Sequence, residues 1–133
     1  MKDGNRPFET VEHEVDVCVV GGGMSGLVAA LSAARHGATV ALMHDRPVLG
    51  GNASSECRMH ICGADRGAAN KDMRETGILE EIQMENLFRN PDHNYSLWDL
   101  VLYEKAMLQP GLTTILNCSC LDATMEGERI ASV

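Results

Sequence analysis

Three glycines, Gly21, Gly23 and Gly26, stand in the spacing G-x-G-x-x-G within the run GGGMSG. The first allows a tight turn, the second leaves room for a backbone to approach a pyrophosphate, and the third lets a helix pack closely on strands. If Met24 and Ser25 open a helix directly after the turn, its unpaired N–H groups and positive dipole end face the same phosphates. The motif has this meaning only between a strand and a helix. A second group of reactive types lies at Cys57, Arg58, His60 and Cys62. The pattern C-x-x-H-x-C does not reproduce the paired knuckles of zinc sites, so no metal is expected there. His13, His36 and His93 are expected at the surface. Asp16, inside an apolar run, is expected at a strand edge without a functional role.

The elements needed to position the glycines are present in the pattern. Residues 15–20 are a β-branched apolar run of strand length, suited to burial on both faces. Residues 24–36 are helix-rich, and Gly37 supplies the left-handed residue that often ends a helix. Residues 38–43 form a second apolar run. Strand, helix and strand together span about 30 residues, the size of a right-handed βαβ unit. Ala30 and Ala34 lie on one helix face, where small side chains permit close contact with a sheet.

Residues 44–75 show little periodicity and read as one long connection, a length that is usually functional. Residues 78–88 read as a helix with Thr76 as cap and with Ile78, Leu79, Ile82, Leu87 and Phe88 on its inner face. Ser96 and Asp99 make a capping-box pattern at the start of another helix carrying Leu97, Trp98, Val101, Leu102 and Met107. Pro110-Gly111 ends it. Residues 113–120 read as a strand that 121–125 can extend, Gly127 marks a hairpin turn, and 130–133 begins a returning strand. A strand beginning so near the last residue predicts a longer parent sequence. The domain reading is a polar arm over 1–14 and one domain portion over 15–133.

Composition narrows the function. The chain has 133 residues, 11 basic and 19 acidic, for a net charge of −8. A phosphate-backbone binder needs a basic face, so nucleic acid is not an expected partner. Aromatics are 4% of the residues, too few for a base-stacking platform. The five cysteines are an odd count without a secretory leader, which predicts a reduced, cytoplasmic setting rather than a disulfide scaffold. Residues 17–34 carry no charge, but they change from strand-like to helix-like midway and hold four glycines, so no membrane span is expected. The eight methionines are scattered and read as core filler.

The run VDVCVVGGGMSGLVAALSAARHGATVALMHDRPVLGGNAS resembles the N-terminus of FAD-dependent oxidoreductases with the glutathione-reductase-type FAD fold. The likeness is tightest over 15–54 and looser over 76–133. It implies an α/β, Rossmann-like βαβ domain with a mostly parallel, doubly wound sheet and a following β-meander, apparently truncated. It also implies FAD as cofactor, with Gly50, Gly51 and Asn52 toward the flavin end and the strand around Cys120 near the adenine. The family places a glutamate for the ribose hydroxyls where this chain has His44. A neutral imidazole accepts only one such bond, so Asp45 is the expected substitute if its side chain turns inward. His44 and Arg46 leave a second reading open, because basic groups after the second strand can accommodate the 2′-phosphate of NADP.

Related disulfide reductases carry a cysteine pair at the spacing of Cys57 and Cys62, but closer to the GG. A full-turn offset weighs against a flavin-coupled disulfide and leaves two small thiols. Arg58 and His60 lie on the segment that in the family runs toward the flavin ring. The implied activity is a flavin-dependent redox reaction on a small-molecule substrate of unknown class, with hydride passing through the flavin. The alternative is a non-catalytic or truncated dinucleotide-binding module. The 133-residue chain alone is expected to be inactive and prone to self-association.

Overall fold

The computed structural model describes residues 10–62, 64 and 73–133. Most of the arm over 1–14, and part of the connection over 44–75, lie outside the described residues. Three parallel strands, β1 (Val17–Val20), β2 (Val40–His44) and β3 (Leu112–Leu116), form one sheet in the order β1-β2-β3. Helix α1 (Met24–Arg35) makes the crossover from β1 to β2, and α2 (Gly77–Arg89) and α3 (Tyr95–Met107) lie between β2 and β3. A separate antiparallel hairpin, β4 (Thr124–Glu126) and β5 (Arg129–Ser132), follows, with Gly127 at φ +63° in its turn.

Register fixes which side chains share a face. Val17, Val40 and Leu112 are partners across the sheet, as are Val19 and Leu42 with Thr114. Val17, Val19, Val40, Leu42, Leu112 and Leu116 join Leu27, Leu31, Ile82, Val101 and Leu102 in one core. Among the described residues this is the only face that helices cover. On the other face Cys18 and Val20 are exposed. That corrects two expectations. β1 is half-buried, because it is an edge strand covered on one side, and it begins at Val17. Asp16 precedes it and accepts from the backbone N–H and hydroxyl of Thr39, which hold its carboxyl below the usual range.

The helices also differ in detail from the sequence pattern. In α2 only Ile82 is fully buried, while Leu87 and Phe88 are 58% and 88% exposed, because α2 packs across α1 and α3 rather than onto the sheet. Helix α3 starts earlier than Ser96. Its cap is Asn94, whose side chain accepts from the N–H groups of Ser96 and Leu97. Leu97 and Met107 are half-exposed. Asp99 is therefore free for another task and accepts the N–H of Ser55. β3 stops at Leu116, four residues before the expected end, since Asn117 takes a positive φ.

Charged side chains tie the three helices together on their outer side. Glu81 pairs with Arg35 of α1 and Lys105 of α3 at 2.7 and 2.6 Å. Arg89 pairs with Glu85 and Glu104. The bonds from Arg35 and then Lys105 lower the Glu81 carboxyl to about 2.

Candidate functional site

The turn between β1 and α1 uses its glycines in different ways. Gly21 has φ +108°, a conformation other residues rarely adopt. A Cβ on Gly26 would lie 1.8 Å from the carbonyl oxygen of Gly21, so the close helix–turn contact admits only glycine there. Gly22 is closed by His44 and Leu49 beneath it. Gly23 is the exception. Its φ is −62°, which any residue can adopt, and a Cβ there would meet nothing within 4 Å. The fold places no demand for glycine at 23.

Gly23 is also the N-cap of α1, with no side-chain cap and no acidic residue in the first turn. The first helical bond runs from Leu27 N–H to Gly23 O at 2.9 Å. The amides of Met24, Ser25 and Gly26 precede it and have no acceptor within the helix. The positive end of a 12-residue helix thus opens toward the space that Gly23 leaves clear.

The Gly50-Gly51 pair is built onto this turn. Gly50 N–H donates to Gly22 O at 2.8 Å, and Gly23 and Gly50 form a parallel bridge. Gly50 and Gly51 both have positive φ, and a Cβ on Gly50 would strike Leu102 of α3. A short helical turn, Gly51–Ala53, follows and is held by Trp98, whose Nε1 donates to Ala53 O at 2.8 Å. Ser55 is tied to Asp99, and the Tyr95 hydroxyl donates to Arg58 O. These contacts give the expected long connection an ordered first half.

Turn, short helix and connection enclose a cleft of about 920 Å³. Of the residues singled out from sequence, Gly21, Gly23, Met24, Ser25, Gly26, Gly50 and Asn52 line it, as do His60 and Cys62. Thr76, Ile78 and Leu79 at the start of α2 also line it. No local signal marks those three, because only the packing of α2 on α1 brings them there.

The remaining candidates lie elsewhere. His44 closes β2 and is 8% exposed, and neither ring nitrogen has a hydrogen-bond partner among the described residues. Its Nδ1 is 3.3 Å from Asp45 Oδ1, within ion-pair range but without hydrogen-bond alignment. The Asp45 side chain is 61% exposed rather than turned inward. Arg46 is gripped by Glu56 through two bonds of 3.0 and 2.6 Å. That pairing occupies the cation needed for a 2′-phosphate and weighs against the NADP reading. A Cβ on Gly51 would come within 3.1 Å of Gly23 Cα, so Gly51 lies close against the turn without lining the cleft. Cys120 is exposed and close enough to Cys18 to add to the upward push that burial gives the Cys18 thiol. Cys57 is an exposed free thiol that does not line the cleft.

The parallel βαβ unit with its glycine turn at a helix N-terminus defines a Rossmann-like dinucleotide-binding domain. The chain belongs to the FAD dependent oxidoreductase family, which it matches over residues 16–133, and its cofactor is FAD. It is 51% identical over 41 residues to the soluble pyridine nucleotide transhydrogenase of Marinobacter nauticus, covering 31% of this chain and 9% of that protein. It is 33% identical over 94 residues to the sarcosine oxidase subunit alpha of a Corynebacterium species, covering 68% of this chain and 10% of that protein. The chain spans about a tenth of the length of these curated relatives. THI4 of Thermovibrio ammonificans shares the fold, with a TM-score of 0.52 and 22% identity over 89% of this chain and 45% of that one. Among the described residues no helix is long and apolar enough to cross a membrane.

Proposed function

We propose that this chain holds the ADP portion of FAD against the Gly21–Gly26 turn, as part of an enzyme that moves hydride between a small-molecule substrate and the flavin. The observation that carries the reading is Gly23. A glycine with an ordinary φ and no neighbour at its Cβ position has no structural cause, whereas a pyrophosphate approaching the backbone supplies one. The residues fit the cofactor in a second respect. His44 is buried at the end of β2 under the same turn with both ring nitrogens unpartnered, a costly state for a group that no ligand meets.

The chain's own work in this scheme is binding and orientation. The amides of Met24, Ser25 and Gly26 donate to phosphate oxygens, and the α1 dipole favours their charge. His44, whose ring nitrogens are closed off beneath the turn, would reach the ribose hydroxyls in place of Asp45 only once its contact with Gly22 opens. Gly50 and Asn52 continue the wall of the cleft beyond the pyrophosphate, where Trp98 and Asp99 keep the segment fixed. FAD, when bound, supplies the hydride-accepting chemistry. The exposed outer sheet face at Val20, together with Met125 and Ile130 of the hairpin, favours self-association of the chain.

Calorimetric titration of the isolated chain with ADP and with FAD tests the reading. Binding of both, with FAD carrying its visible absorption into the protein fraction, is the expected result. An absence of ADP binding to folded protein would refute the placement of the pyrophosphate.

A further inference from the structure

We propose that a second, smaller cavity behind the connection binds a small neutral molecule, a planar ring bearing an amide-type edge. The cavity has a volume of about 230 Å³. It shares Ala53, Met59, His60 and Ile61 with the larger cleft, so one stretch of the connection borders both. The rest of its lining comes from α2 (Gln83, Asn86), the turn that follows (Asn90, His93) and the start of α3 (Tyr95, Trp98). None of these six lines the larger cleft, so the inference does not depend on where FAD lies.

The make-up of the lining selects the ligand. The chain carries 19 acidic and 11 basic residues, yet the described lining residues include no carboxylate, ammonium or guanidinium group. A charged ligand would lose its hydration with no opposite charge to meet it, which favours a neutral one. Flat rings are gathered instead. The one tryptophan, one of the two tyrosines and two of the five histidines line this space. In a chain with 4% aromatics, that concentration suits a planar ligand. An apolar cavity of about 150 Å³ holds benzene. A volume of about 230 Å³ has room for one ring and one polar substituent.

The polar groups are fixed in place and keep bonding capacity. Asn90 is 1% exposed and acts as the hub. Its Nδ2 donates to Asn86 Oδ1 at 3.0 Å and to Asn94 O at 2.8 Å, and its Oδ1 accepts from the Asn94 N–H. The Asn86 amide keeps its N–H donors. His93 takes φ +54°, uncommon outside glycine, with its N–H on Asn90 O at 3.1 Å, so the same hub fixes the turn that carries its ring. Trp98 is held by its bond to Ala53 O, and the Tyr95 hydroxyl, which donates to Arg58 O, can still accept. Gln83 is half-buried, and its side chain bonds to none of the described residues, so its carbonyl and amino groups are both available. A carboxamide on the ligand matches this set, since its oxygen accepts and its nitrogen donates.

Trp98 is the sole tryptophan of the chain, so its fluorescence reports on this cavity. Benzamide is the probe. It should change the emission saturably at about millimolar concentration, the range open to so small a ligand. Benzoate keeps the shape but adds a charge, and toluene keeps the ring but lacks the amide. Each should bind about tenfold more weakly. Gln83→Leu and Gln83→Met, with folding checked by thermal melting, should weaken benzamide about tenfold and leave toluene unchanged. ADP, directed to the larger cleft, should not displace benzamide. A linear change without saturation, equal affinity for benzamide and either control, or undiminished benzamide affinity in a folded Gln83 variant would overturn the proposal. Displacement by ADP would place benzamide in the larger cleft and overturn it as well.

Discussion

Replacing Gly23 with valine separates the demand of the ligand from the demand of the fold. The wild-type φ of −62° suits a branched residue, and the Cβ would enter space empty to 4 Å. The cost to stability is that of a poorer N-cap, about 1 kcal/mol or less. The methyl groups, however, fill the space in front of the amides of Met24, Ser25 and Gly26. Losing two charge-assisted bonds to phosphate at about 1.5 kcal/mol or more each weakens binding by about 3 kcal/mol, roughly a hundredfold. Calorimetric titration with ADP, beside thermal melts, reads both quantities. Gly26→Ala is the contrasting variant, because its Cβ would lie 1.8 Å from Gly21 O and its main effect should be a lower melting temperature. A folded Gly23→Val protein with undiminished ADP affinity would refute the reasoning.

Three further outcomes follow from the same geometry. His44→Leu should raise the stability of the unliganded chain by about 1–2 kcal/mol, since it removes unpartnered buried nitrogens, yet weaken ADP binding. Asp45→Ala, at an exposed side chain, should do neither, and a larger affinity loss from Asp45→Ala than from His44→Leu would count against His44. Trp98→Phe should cost about 1–3 kcal/mol in denaturant melts by stranding the buried carbonyl of Ala53, with proteolysis appearing first in residues 51–62. For pH, the Glu81 carboxyl is lowered to about 2 in the fold, so its contribution is full above the ordinary carboxylate range and is lost as pH falls toward 2. Melting temperature should drop across that window, and Glu81→Gln should flatten the drop. An unchanged slope would show that the helix ties do not carry the acid sensitivity.

The βαβ unit, the helix-ending glycine at 37 and the glycine turn are legible in the sequence, because each is specified by neighbours a few residues apart. Apolar runs set β1 and β2, and the glycine spacing set the turn and the start of α1 almost to the residue. Tertiary structure decided the rest. Burial of β1 depends on how many layers cover it, and Leu87 and Phe88 are exposed because α2 lies across α1 and α3. Neither fact is written in the periodicity of those segments. The capping box at Ser96 and Asp99 matched the pattern, but Asn94 forms the cap and Asp99 anchors Ser55, since a carboxylate answers the nearest unpaired N–H in space. The placement of His44 and Asp45 turns on the same distinction. Asp45 carries the better chemistry in isolation, yet β2 runs on through His44, and alternation along the strand points the imidazole under the turn and leaves the carboxylate in solvent.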